Sequence, residues 1–348
     1  MQIQENVPLA PLTTLKVGGP ARYFAEARTA EDVRDVVAFA ASCNAPLLVL
    51  GGGSNLVVSD RGWPGLALKV AIGGIDRSDS DGSTHFEVGA GEDWDQFVAT
   101  AVGLGYAGVE CLSGIPGSVG GTPVQNVGAY GQEVAETIES VQVFDLRDLQ
   151  IHDLCAEACG FSYRSSIFNT TEQGRYIILR VTYALVPGGT SRIVYADLRK
   201  FFADKQDAPT LAETREAVRQ IRASKAMLLS PGDEDSRSAG SFFKNPVLTP
   251  AQYDELTRRA AARSLLVPSY PALEAQHKVS AAWLVEHSGF SKGYQQGRVG
   301  ISRKHALAIV NRGEATAAEV VALKERIQQG VEEAWGIQLQ PEAVFVGF

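Results

Sequence analysis

The sequence predicts a mixed α/β protein of more than one domain, and three observations carry that prediction. First, its 348 residues exceed what a single hydrophobic core usually organises. Second, residues 1–70 read as strand, helix, strand, strand, with apolar runs that switch from strand-like to helical spacing and back. Third, the chain after residue 240 goes on alternating helical and strand patterns until Glu342–Phe348.

The elements follow in order. Ala21–Glu26 is a short strand. Thr29 is placed to cap a helix, with Asp32 at its third position completing an approximate capping box, and Val33, Val36, Val37 and Ala40 fall at helical spacing. Pro46–Leu50 is a buried strand that runs directly into Gly51–Asn55, and Leu66–Val70 is another strand. Strands are expected at Thr84–Gly89, Ser140–Phe144 and Tyr176–Tyr183, and a helix at Trp94–Gly103. Asp197–Lys225 has a continuous helical pattern with charges outward. The polar stretch Ala226–Ala239, which contains SPGDEDSRS, is expected to be a mobile loop. The best boundaries lie near residues 70 and 226, giving parts 1–70, 71–225 and 226–348.

Composition excludes several functions. The net charge of −8, with no basic run, argues against a nucleic-acid partner, because neutralising phosphates needs clustered Lys and Arg. No apolar run approaches the roughly 18 residues of a membrane span. The N-terminus has no basic stretch followed by an apolar core, so the expected compartment is the cytoplasm. There Cys43, Cys111, Cys155 and Cys159, scattered along the chain, are expected to be free thiols. His152, Cys155 and Cys159 do not form a recognised zinc spacing, and no metal is expected. His277, His287 and His305 are lone histidines without assigned chemistry.

Chemistry concentrates in glycine. The run LLVLGGGSNL (47–56) is a strand entering a tight loop, whose backbone N–H groups can form a nest for an anion such as a pyrophosphate. A dinucleotide fingerprint of the G-x-G-x-x-G kind fails, since Leu56 holds the third glycine position, and no Lys-Ser/Thr pair makes it a P-loop. Taken by itself the loop fits a plain glycine turn equally well. The second run, GIPGSVGGTPVQNVGAYG (114–131), packs many glycines and two prolines into one loop. Gln125 and Asn126 there offer donors and acceptors suited to the edge of a heteroaromatic ring.

These two runs, followed by FSYRSSIF (161–168), GSFFKNP (240–246) and the late Pro341-Glu342, resemble the signature of the UDP-N-acetylenolpyruvoylglucosamine reductases. The resemblance spans nearly the whole chain. It implies the FAD-binding fold of the vanillyl-alcohol oxidase type, with two α/β subdomains for the flavin and a C-terminal α+β domain for the substrate. It implies non-covalent FAD against Gly51, Gly52, Gly53, Ser54, Asn55, Gly114, Ile115, Pro116, Gly117, Gly120, Gly121, Gln125, Asn126, Gly128, Ala129 and Tyr130. The reaction implied is reduction of UDP-N-acetylglucosamine enolpyruvate to UDP-N-acetylmuramate with NADPH, a step of peptidoglycan precursor synthesis. NADPH and sugar would use one pocket alternately, in a monomer.

The same resemblance assigns roles. Ser241 is the proton donor, although the local sequence alone reads it as a turn or cap residue. Arg164 would pair with the substrate carboxylate through parallel hydrogen bonds. Glu342 would either donate to that carboxylate, if desolvation keeps it protonated, or orient a donor. Tyr195, in the tyrosine loop of the longer subclass, Lys225, Asn245 and, more weakly, Gln295 would grip the UDP-sugar. The acidic loop Ser230–Ser238, just before Ser241, is a departure in length from some members, and reads either as a lid or as an insertion.

Overall fold

The computed structural model describes residues 2–80, 83–230, 232–271 and 275–348. Contacts divide the chain into two compact units. One comprises Met1–Val7, Ala21–Gly53 and Trp63–Leu228; the other comprises Pro8–Pro20, Ser54–Gly62 and Leu229–Phe348.

Among the described residues the first unit contains two larger sheets and a two-stranded ribbon, Gly128–Ala129 with Gln132–Glu133. In one, Pro20–Ala27, Trp63–Val70 and Leu47–Leu50 run parallel, with Gln4–Pro8 at the far edge. The connecting helix Ala30–Ser42 starts where the sequence says it should. Thr29 Oγ1 accepts from Asp32 N–H at 3.0 Å, and the Asp32 carboxylate accepts from Thr29 N–H at 3.1 Å. Its Val33, Val36 and Ala40 are buried, as one helical face requires.

The other sheet is antiparallel, in the order Ile151–Cys155, Ile138–Asp145, Tyr176–Pro187, Ser83–Gly89, Ile75–Ser80. Ile177, Leu179, Val181, Tyr183 and Leu185 of its central strand are buried at the alternate spacing of a pleated sheet. The helix Trp94–Gly103, capped by Asp93, adds Trp94, Phe97 and Val98 to the same core. Two buried polar groups there find partners: Trp94 Nε1 donates to Leu112 O at 3.0 Å, and Tyr183 shares a 2.7 Å hydrogen bond with Thr122.

The continuous helix expected over Asp197–Lys225 is instead two helices, Ala196–Phe201 and Leu211–Ser224. The break has a local cause. Pro209 cannot donate a helical hydrogen bond, and Thr210 with Glu213 forms a capping box that starts the second helix.

In the second unit the long helix Ala317–Trp335 buries Val320, Leu323, Ile327, Val331 and Trp335. Asp60 completes its start, accepting from Ala317 N–H at 2.7 Å and Ala318 N–H at 2.9 Å. Leu15 and Val17 lie in this unit's core, and Asn311 Nδ2 donates to Leu15 O at 3.1 Å. The strand Leu56–Val58 pairs in parallel with Val344–Val346.

The polar stretch read as a mobile loop is anchored over its described C-terminal part. Asp235 is buried and ion-paired with half-buried Arg312, and Asp233 bonds Lys304 at 2.7 Å. Its acidity is met by basic side chains some 70 positions later, which no local pattern reveals. No helix among the described residues is long and apolar enough to cross a membrane. All four cysteines are free thiols; burial pushes both Cys111 and Cys159 up to about 12, so neither is a ready nucleophile.

Candidate active site

Both glycine runs belong to the first unit as far as Gly53, and there they touch. A Cβ placed on Gly51 would lie 2.6 Å from Ser118 Oγ, and one on Gly52 would lie 2.5 Å from Gly117 Cα. The Cβ on Gly52 would meet backbone, so that position must be glycine for the loops to approach this closely, whereas a side chain at Gly51 would have to push the Ser118 hydroxyl aside. The second loop is clamped from behind. Trp94 N–H donates to Gly117 O at 3.1 Å, Val119 N–H to Glu92 O at 2.9 Å, and Gly120 N–H to Ala90 O at 2.9 Å. Ile115 and Ala129 pack on the first unit's core.

The remaining residues of the second loop are held by buried polar groups. Asn126 is almost fully buried with positive φ, and its amide is committed to the protein. It donates to Glu133 Oε2 at 2.7 Å and Ser162 O at 3.1 Å, and accepts from Ala135 N–H at 3.1 Å. Gln132 donates to buried Glu110 at 2.9 Å and accepts from Cys111 N–H at 2.8 Å. Arg164, some 40 residues further on, comes to the same loop, where its Nη2 donates to Gly128 O at 2.7 Å. A Cβ on Gly128 would fall 3.1 Å from Arg164 Nη1 and 2.8 Å from Glu133 Cγ, so this glycine makes room for the guanidinium.

The loop's C-terminal end gathers three more expected residues. Tyr130 meets the Tyr195 ring edge-on at 5.4 Å, and Lys225 pairs with Asp197 at 2.5 Å. Burial raises the Tyr130 hydroxyl above the usual tyrosine range, against the pull of Arg222 and Lys225. Arg222, not anticipated from the sequence, donates to Gly114 O at 3.1 Å and Met227 O at 2.8 Å. Its guanidinium is buried, and that burial lowers its affinity for the proton. Asp95 was also missed. It accepts from Gly114 N–H at 2.6 Å and pairs with Arg215 and Arg219. Arg215, Arg219 and Arg222 share one face of their helix, and that spacing was the available signal.

The backbone segments that carry Ser241 and Glu342 pair inside the second unit. Glu342 N–H donates to Phe242 O at 2.9 Å, Lys244 N–H donates to Gln340 O at 2.9 Å, and Phe243 faces Pro341. The serine and the carboxylate thus stand on paired extended segments, flanked by Phe242 and Phe243, both buried. Asn55 joins them: its Nδ2 donates to Glu342 O at 3.1 Å, and its own carbonyl accepts from Val344 N–H at 2.9 Å. Ser54 is reached by Thr14, whose hydroxyl lies 3.3 Å from Ser54 O and donates to Ser238 O at 2.6 Å. Asn245 sits at the start of the helix Ala281–Glu286, accepting from Ala281 N–H at 2.9 Å. Gln295 is exposed, and its amide donates to Gly297 O at 3.2 Å within its own hairpin.

For a metal, the described residues offer one gathering, Asp145, Asp148 and His152. The Arg175 guanidinium already grips Asp145, with Nη2 at 2.6 Å.

Whether the chain fits a flavin nucleotide is tested by what it leaves open. Gly51 and Gly52 put bare backbone against the second loop, and Ser118 Oγ is buried there with no hydrogen-bond partner among the described residues. A polar, side-chain-free cradle of this kind suits a phosphate-bearing cofactor. Residues 21–154 match the FAD binding domain family, which defines the chain as a flavoprotein with an α/β FAD-binding fold. Residues 231–346 match the C-terminal domain of UDP-N-acetylenolpyruvoylglucosamine reductase. The chain is 44% identical over 348 residues to the UDP-N-acetylenolpyruvoylglucosamine reductase of Thermobifida fusca, covering 98% of this chain and 97% of that one. It is 46% identical to that of Saccharopolyspora erythraea, over 97% and 94% of the two chains. The crystal structure of UDP-N-acetylenolpyruvylglucosamine reductase from Thermus caldophilus superposes with a TM-score of 0.67 at 28% identity, covering 99% of each chain. The chain belongs to the UDP-N-acetylenolpyruvoylglucosamine reductase family.

Proposed function

We propose that this protein reduces UDP-N-acetylglucosamine enolpyruvate to UDP-N-acetylmuramate at the expense of NADPH, in the cytoplasm and as a monomer. The observation that carries the reading is the pairing of the Ser241 and Glu342 segments through Glu342 N–H and Phe242 O, inside a chain similar to these reductases along its length. Residues 1–225 serve the flavin in this reading, and 226–348 the sugar.

FAD held against Gly51–Asn55 and Gly114–Tyr130 would supply two-electron chemistry between NADPH and the methylene carbon of the enolpyruvyl group. NADPH and sugar use it in turn, which predicts ping-pong kinetics and inhibition by excess sugar. Hydride addition leaves negative charge on the α-carbon, delocalised into the carboxylate. Ser241 gives that carbon its proton, and a positioned acid of this kind is worth roughly 10²–10⁴ in rate. Arg164 stabilises the carboxylate charge with a guanidinium whose orientation is fixed by Gly128 O. Glu342 either donates to that carboxylate or orients a donor, on a backbone that Asn55 and Phe242 hold in place. Tyr195, Lys225 and Asn245 grip the UDP moiety, with Gln295 a weaker fourth; Lys225 exchanges its Asp197 partner for the diphosphate.

The test is anaerobic reduction of the purified holoenzyme by NADPH, followed by addition of the enolpyruvyl sugar. Reoxidation by the sugar without oxygen supports the reading. Reoxidation by oxygen alone would make the protein an oxidase and sink it.

A further inference from the structure

The structure assigns the Asp235–Arg312 ion pair a positioning role: it sets the register in which Ser241 is presented. The inference rests on the reading of Ser241 as the proton donor, and says what the acidic stretch before it is for. The two side chains are bonded to each other, at 3% and 8% exposure. An ion pair so far withdrawn from water is seldom more stabilising than an apolar pair of the same size, because both charges lose their hydration; fixing a register is its best-attested use. Arg312 is itself held. It follows the strand Ile309–Asn311, and its Nη2 donates at 3.0 Å to Ile301 O, on the strand paired with that one.

The contacts run in sequence. Asp235 meets Arg312, Arg237 O accepts from Asn311 N–H at 2.9 Å, Ser238 faces Val310, and Phe242 N–H donates to Leu307 O at 2.8 Å. Residues 235–242 therefore lie antiparallel along 307–312, with Ser241 beside the last contact and the ion pair at the other end. The pairing between them is sparse. Ser238 and Val310 form an isolated bridge, and Gly240, at a φ of 72°, turns the chain just before the serine. A slip of one residue in such a pairing sends each side chain to the opposite face. Backbone groups are alike at every residue, whereas this carboxylate and this guanidinium meet at one alignment. Thr14, whose hydroxyl donates to Ser238 O at 2.6 Å, would bond any residue's carbonyl equally. Asp233 and Lys304 also pair, but at 28% and 42% exposure, where an ion pair contributes little.

The experiment follows both half-reactions of the holoenzyme by stopped flow, in Asp235→Asn and in the paired variant Asp235→Leu with Arg312→Met. Each is made with and without Ser241→Ala. Both are expected to slow reoxidation of the reduced flavin by the enolpyruvyl sugar about ten- to a hundredfold, because misplacing a reacting group by an ångström costs roughly that much. Reduction by NADPH, which does not use Ser241, stays at the wild-type rate. Added to Ser241→Ala, either change slows the sugar step no further, since the donor it positions is gone. Asp235→Asn leaves the Arg312 guanidinium without its counter-charge and is expected to melt lower. The paired variant removes both charges and melts close to wild type, yet stays slow. A paired variant with normal sugar reduction overturns the proposal. So does equal slowing of both half-reactions, or a loss that adds in full to that of Ser241→Ala. Failure of the paired variant to fold overturns it too, making the ion pair a prop of the fold. If Ser241→Ala alone leaves the sugar step at the wild-type rate, the proton-donor reading falls and takes this proposal with it. If Ser241→Ala is slow and the Asp235 variants are normal, only this proposal falls.

Discussion

The flavin loop Gly114–Gly131 and the serine segment Gly240–Pro246 fix their functional groups by opposite means. The loop has almost no regular structure, and is held by buried polar side chains: Asn126, Gln132, Glu110 and Arg222 each bond backbone or one another. The serine segment is held by apolar burial of Phe242 and Phe243 and by backbone pairing to residues 340–342. Backbone bonds such as Trp94 N–H to Gly117 O clamp one side of the loop, and buried polar side chains brace the rest. The serine segment instead buries two successive phenylalanines beside a half-buried Ser241.

The contrast can be broken by substitution. The largest effect is expected from Phe242→Ala, which leaves a cavity under the serine segment and should cost about 3–5 kcal/mol in chemical unfolding. If it costs under about 1 kcal/mol, apolar burial is not what holds the segment. Ser241→Ala comes next. It should slow sugar reduction at least about a hundredfold, or roughly 2.7 kcal/mol of barrier, while NADPH reduces the flavin at the normal rate in stopped flow. Equal slowing of both half-reactions would contradict the acid role. Asn126→Ala should then cost about 2 kcal/mol, by leaving Glu133, Ser162 O and Ala135 N–H without their partner. Because the bracing is polar, Asn126→Leu should do no better, whereas Phe242→Leu should recover much of the loss at that site.

The smallest effect is a pH dependence. Burial pushes the Asp95 carboxyl up, but Arg215, the Gly114 N–H and Arg219 outweigh it and hold the group below the usual carboxylate range. A group whose pKa is depressed on folding contributes stability above its unfolded value near 3.9, and loses it as pH falls through the lower folded value. The gap in melting temperature between wild type and Asp95→Asn should therefore be constant from neutrality to about pH 5 and close below about pH 4. A gap that widens in acid would reverse the sign and remove Asp95 from the bracing.

How much of this was legible varies with range along the chain. Capping boxes such as Thr29 with Asp32 are local, and read directly. The strands Leu47–Leu50 and Ile138–Asp145 were read as well, because β-propensity acts over a few residues, whereas the short strands Leu56–Val58 and Tyr106–Ala107 beside the glycine runs were not. The break at Pro209 was legible in principle, and was overridden by a charge pattern that both helices happen to share. The anchoring of Asp235 on Arg312 was not legible, since an acidic run carries no mark of where its counter-charge lies. Nor did the linear order show that residues 8–20 and 54–62 pack with the C-terminal part, or that Asn55 would brace Glu342 across 287 positions.

The sequence by itself determined the mixed α/β class, the glycine-rich segments and, through resemblance, the family and its expected Ser241, Arg164 and Glu342. Those depend on residue type and on spacing within short windows, where backbone preference and periodicity dominate. Only the tertiary structure decided why Gly52 must be glycine, that Asn126 braces rather than merely lines its loop, and that the Ser118 hydroxyl is buried with no partner among the described residues. The reason is that close packing and hydrogen-bond satisfaction are properties of neighbours in space, and space brings Gly51 to Ser118 across a distance that the chain itself does not record.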